Sequence, residues 1–230
     1  MQKTTIVRYL IYGLGTIILA LGISLTTKAG LGVSPLISVP YSVAEIRHWN
    51  FAFLTFLLYV SYVAIEFILK GKKKEWIDLL QIPFSFVFSI LLNVFDIAYR
   101  TLGVHPETLW LKLVLLFIAI IMVGVGVSMM VAMNLIPNPG DGLAKAVGDA
   151  LHRNLGFGKN VIDIISVIIT CCISFFAAGR LVGIGIGTVA AMICVGRCIA
   201  LFNHFFRDKM LRAAGLIDPA DPKAFTREKS

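Results

Sequence analysis

Two short segments carry residue types that could hold a polar solute. Gly32-Val33-Ser34-Pro35 and Asn138-Pro139-Gly140-Asp141-Gly142 each place a small polar side chain directly before a proline. Ser or Asn at a helix N-cap accepts a hydrogen bond from the first turn, and proline suits the first helical position, where an N–H would have no partner. Asp141 then falls in the first turn, where the helix dipole favours negative charge. A helix N-terminus offers unpaired amide N–H groups with partial positive charge, which suits an anion, a carboxylate or another polar acceptor. Gly32, Ser34, Pro35, Asn138, Pro139, Gly140 and Asp141 are therefore the candidate substrate-binding residues.

Three ionisable residues inside apolar runs join them. Such residues are expensive in a membrane and are suspects for function or for buried pairing. Arg197 lies deepest in its run and is expected to pair with Asp163, Glu66 or Asp141, or to meet an anionic substrate. Glu66 and Asp163 lie near the ends of theirs, within reach of the interface, and are candidate charge partners. Other chemistry finds less support. His48, His105 and His152 are isolated, with no metal-ligand spacing, and no glycine loop ends in Lys-Ser/Thr, so no metal, nucleotide or other cofactor is expected. Cys171, Cys172, Cys194 and Cys198 read as small buried apolar side chains. Ser128 and His204 superficially suggest an intramembrane serine protease, but Gly126-Val127-Ser128 repeats Gly22-Ile23-Ser24, which marks a packing motif rather than a nucleophile. The chain is read as a non-enzyme.

The elements that must position these residues follow from composition. Of 230 residues 58% are hydrophobic and 15% charged, with mean hydropathy +0.87. Soluble domains are about 45–50% apolar and about a quarter charged. The chain must therefore lie in a membrane, with the lipid bilayer as its first partner. Six runs, near residues 9–27, 51–69, 79–99, 113–133, 161–178 and 183–206, are long enough to cross, since a helix needs about 20 apolar residues. None shows the two-residue alternation of a membrane strand. The reading is an all-α membrane protein of six transmembrane helices, one domain over 1–206 and a cytoplasmic tail over 207–230. The first run is too long for a signal segment and is kept as a helix. With the N-terminus inside, fifteen basic residues face the cytoplasm and five face out, so both termini are cytoplasmic. The net charge of +8 then serves lipid headgroups and topology, with no nucleic acid needed.

A repeat organises these runs. At a constant offset of 104, Ala20 falls on Gly124, Gly22 on Gly126, Ser24 on Ser128, Leu31 on Leu135 and Pro35 on Pro139. In each copy a small-residue helix ends, about seven residues of loop follow, and a short half-helix starts. Three spans per copy is odd, so the copies, about 9–100 and 111–206, enter from opposite sides as inverted repeats, a plan common among transporters. Small residues four apart, among them Thr16, Ala20 and Ser24, and Gly179, Gly183, Gly187 and Ala191 at the start of the last helix, allow close helix packing.

Ala29-Gly-Leu-Gly-Val-Ser-Pro35, Asn138-Pro-Gly-Asp-Gly-Leu143 and Gly185-Ile-Gly-Thr-Val189 resemble signatures of the YczE/YyaS/YitT family of bacterial membrane proteins. The resemblance covers most of residues 10–205. It implies a multi-pass protein of the bacterial plasma (inner) membrane and lends no catalytic residues. Thr188 of its last motif joins the candidate binding set. The functional expectation is a secondary transporter, or a substrate-binding membrane subunit, for an unknown small solute that is anionic or bears a carboxylate. The alternative is a non-transporting accessory or scaffold protein; a channel and the protease rank lower. A homo-oligomer or a partner membrane protein is compatible with either reading.

Overall fold

The computed structural model describes residues 2–71 and 75–217. The lysines at 72–74 and the end of the chain from 218, both used in the charge count, lie outside the described residues. Every regular element described is helical: α1 Gln2–Ala29, α2 Pro35–Arg47, α3 Phe51–Lys70, a 3-10 turn Trp76–Leu80, α4 Gln81–Thr101, α5 Leu109–Met133, α6 Pro139–Ala150, α7 Leu155–Ala178 and α8 Ile186–Ala213. Six of these are long and apolar enough to cross a membrane, while α2 and α6 are too short. The chain is a polytopic, membrane-embedded helical protein.

Glycine sets the central contact. The pair α1 and α5 runs antiparallel: Arg8 donates to Met133 O at one end, and Gly22 lies against Met122 and Val123 further along. At the crossing a Cβ on Gly126 would come within 2.6 Å of Leu19 N, and one on Gly22 within 2.9 Å of Val123 N. Lipid gives no hydrophobic drive toward such pairing, so close backbone approach and dispersion supply it. Around this pair α4 packs on α1 and α8 on α5, while α2 packs on α7 and α3 on α6.

Several boundaries differ from the sequence reading. The loops before α2 and α6 have five residues each, 30–34 and 134–138, rather than about seven. Gly179 caps α7 in a left-handed conformation and Gly183 lies in the connection, so the last small-residue stripe is not one helix face. The last helix starts at Ile186 and continues through Ala213, past the position where a tail was expected to begin. Hydropathy marks where apolar residues stop, whereas α8 carries its hydrogen bonds on through a polar final turn.

Candidate functional site

Two polar stripes cross the apolar interior. On α3, Thr55, Tyr59, Tyr62 and Glu66 recur at helical spacing and are all buried; on α7, Asp163, Ser166, Thr170 and Ser174 do the same. Between the stripes lie the first turns of α2 and α6, which meet where Leu36 packs directly on Gly140. Tyr59 and Tyr62 fix the depth of that meeting. Asn138 Nδ2 donates to Tyr59 Oη (3.5 Å) and Tyr62 Oη to Leu36 O (3.3 Å), both halfway along α3.

The Leu36 bond has a local cause. Pro40 sits inside α2 and has no N–H, so it cannot bond the carbonyl four residues back. That carbonyl is Leu36 O, and Tyr62 takes it instead. Tyr62 also lies 3.4 Å from Ser166 Oγ, Thr170 Oγ1 donates to Ser166 O (2.8 Å), and Ser38 meets Thr170 at 2.7 Å. The result is a run of hydroxyls joining α3, α7 and α2 through the core.

The two half-helix starts are finished differently. In α6, Asn138 Oδ1 accepts from Gly140 N (3.0 Å), and Asn138 O accepts from Asp141 N and Gly142 N (2.9 Å each). Its first turn is thus largely satisfied by its own cap. In α2, Ser34 makes no side-chain capping bond, and its carbonyl accepts from Ile37 N (3.1 Å). Beside α6, Glu66 is buried and bound by Lys70 (2.7 Å) and by Gln81 Nε2 (2.9 Å), and Lys70 also meets Asp78 (2.9 Å). Gly142 makes room for this cluster: a Cβ there would lie 2.6 Å from Glu66 Oε2 and 2.8 Å from Gln81 Oε1.

Asp141 lies 3.7 Å from Lys159 of α7, and Asp163 is only 7% exposed with no hydrogen bond or ion pair among the described residues. Ser166 and Thr170, on the same face of α7, touch Tyr62 and α2, which places Asp163 one turn beyond, toward the α2 start. Glu66 and Asp163 are both buried, because the faces of α3 and α7 that carry them turn toward neighbouring helices.

Gly32 and Thr188 form a neighbouring junction. Gly32 has φ +98°, and a Cβ there would meet Gly185 N at 2.6 Å and Thr188 Oγ1 at 2.7 Å. Val33 N donates to Gly183 O (3.0 Å) and Gly187 N to Leu31 O (2.7 Å), so the loop before α2 is stitched to the start of α8. Two hollows flank the far end of α2, one of about 230 Å³ bordered by Lys28, Asp96 and His48, the other of about 400 Å³ beside Gly32 and Arg180. Lys28 and Arg100 both bind Asp96, at 2.6 and 2.8 Å.

The candidate residues are thus only partly brought together. Pro35, Asn138, Pro139 and Gly140 converge at the centre, with Ser34 and Asp141 at its edges and Gly32 with Thr188 in the adjoining junction. Arg197 stands apart. It is exposed on α8 and makes no ion pair with Asp163, Glu66 or Asp141. Its depth in the run was legible, but the face it occupies depends on which side of α8 meets α5. Ser128 is buried and donates to Ile199 O (3.5 Å), and exposed His204 stacks edge-on with Phe205, so the two form no dyad. Tyr59, Tyr62, Ser38, Ser166 and Thr170 were missed. Their signal was the polar stripe at helical spacing inside otherwise apolar spans.

Known proteins agree with this level of description. A family model described as a family of unknown function, DUF6198, matches residues 6–204. The chain belongs to that family. It is similar to the uncharacterized protein YyaS of Bacillus subtilis (strain 168), 25% identical over 189 residues, which cover 82% of this chain and 88% of YyaS. This supports the YyaS-like part of the resemblance; the wider YczE and YitT grouping goes beyond it. No solved structure matches it significantly.

Proposed function

We propose that this protein is a small-solute membrane carrier built from two inverted repeats, with its binding centre where the first turns of α2 and α6 meet. The observation that carries this reading is the Leu36–Gly140 contact at the depth of Tyr59 and Tyr62, halfway along a spanning helix. Helix ends at that depth are tolerated only where protein or a water-filled cavity receives their polar groups. Broken helices at the midplane are how many carriers present backbone dipoles to a solute.

Several contacts support the repeat. Helix starts α2 and α3 recur 104 residues later as α6 and α7. Asn50 and Asn154 cap Phe53 and Phe157, and His48 and His152 both have positive φ. Ser24 bonds Leu92 O on α4, as Ser128 bonds Ile199 O on α8. Tyr62 and Ser166, 104 apart, touch one another, as equivalent residues on a two-fold axis would. The basic-residue asymmetry supports cytoplasmic termini.

Chemically, the start of α2 lacks a side-chain cap and offers amide donors beyond Ile37 N, which already donates to Ser34 O, and Asp163 and Asp141 offer acceptors. A solute bearing a carboxylate at one end and an N–H or cationic group at the other matches both. The experiment is a thermal-shift screen of purified protein against lactate, succinate, glycine, phosphate and sulfate, followed by uptake of each hit into proteoliposomes. Asp163→Asn and Asp141→Ala are expected to lose the shift while remaining folded. Hits that bind and enter equally well in both variants overturn the site. Cysteines replacing Gly71 and Arg153 should label from one side and one replacing Arg47 from the other; any other pattern removes the inverted topology.

A further inference from the structure

A guanidinium sits in the wrong solvent on α8. Arg197 lies eleven residues after Ile186 and sixteen before Ala213, so about 16 Å of helix separates it from the nearer end, and it falls inside the apolar run of a helix long enough to cross a hydrocarbon core about 30 Å thick. Its neighbour Cys198 packs on Gly124 well inside α5, in keeping with that depth. Yet Arg197 is exposed, and no carboxylate among the described residues pairs with it. α8 is the least buried of the six spans, held mainly by α5. The free face carries Ile193, Gly196, Arg197, Ala200 and Leu201, all exposed, and a Cβ on Gly196 would meet nothing within 4 Å. Small residues beside a charge let another backbone come close enough to pair with it. A charge left facing lipid at this depth is costly, and a long side chain relieves only part of that by reaching toward an interface.

We propose that this face of α8 binds a transmembrane helix of a different membrane protein, one that carries an Asp or Glu at mid-depth to pair with Arg197. A second copy of this chain does not meet the requirement. Parallel two-fold pairing through α8 brings Arg197 against its own twin. Of the carboxylates in the spans, Glu66 and Asp163 are buried, Asp78 and Asp96 are held in ion pairs, and Asp208 lies eleven residues further along α8. The proposal is independent of the carrier reading.

The test uses full-length protein in cells of its source, with p-benzoylphenylalanine replacing Ala200 or Leu201 and, as a control on a different lipid-facing helix, Phe176. Irradiation is expected to join the first two, and not the control, to one membrane protein whose crosslinked segment contains a mid-span Asp or Glu. Arg197→Ala should lower that product about tenfold or more, as expected for loss of a charge pair in lipid, and Arg197→Glu combined with Arg at the partner's acidic position should restore it. Purified Arg197→Leu should unfold no more easily than the parent, because the charge has no partner inside the chain. Crosslinks only to lipid, only to a second copy, or to a segment without a carboxylate overturn the proposal. So does a product indifferent to Arg197→Ala, or a destabilised Arg197→Leu protein.

Discussion

The short helices α2 and α6 start beside one another, where Leu36 packs on Gly140, and are completed differently. α6 closes on itself: Asn138 satisfies three of its first amides, Glu66 and Gln81 press against Gly142, and Lys70 neutralises the carboxylate. α2 leaves its start without a side-chain cap, uses hydroxyl contacts from Ser38 to Thr170 in place of an ion pair, and has the unpartnered Asp163 nearby. Two short helices that both start at a proline need not share the chemistry around that start. One start is held by a side-chain cap and a buried ion pair, and the other by the Ser34 carbonyl, which accepts from Ile37 N (3.1 Å), and by hydroxyl contacts.

Four substitutions break or sharpen that contrast, all measured by unfolding of the purified protein in detergent. Glu66→Ala strikes the α6 start hardest, since it strands Gln81 Nε2 in the core and removes one partner of Lys70; a loss of about 3 kcal/mol is expected. Gly142→Ala should cost about 2 kcal/mol, because the new methyl collides with Glu66 and Gln81; if it is neutral, the tight α3–α6 approach is not real. Asn138→Ala removes the cap on Gly140 and should cost about 1 kcal/mol. Ser34→Ala, at the corresponding position of α2, removes no capping bond and should stay within about 0.5 kcal/mol. Equal losses at Asn138 and Ser34 would erase the difference between the two starts.

Much of the scaffold could be read from residues alone. The lengths of apolar runs gave the spans, because lipid admits only segments that satisfy their own backbone. Ser34-Pro35 and Asn138-Pro139 fixed the half-helix starts, and Asn138 caps as its type predicts, whereas Ser34 does not. The site itself was harder to read. Pro40 was visible in the sequence, but that the carbonyl it frees would be claimed by Tyr62 depends on α3 crossing α2 at that level.

Sequence by itself therefore determined which stretches enter the membrane, where two of them restart at a proline, and that one pattern occurs twice at a spacing of 104. Tertiary structure decided which side of each helix faces inward: Glu66 and Asp163 into the core, Arg197 out of it, Leu36 onto Gly140. In water an amphipathic pattern announces the buried face of a helix. In lipid both faces are apolar, so the inward one is chosen by where glycines let backbones touch and where hydroxyls find carbonyls on another helix, and those choices exist only once the helices have met.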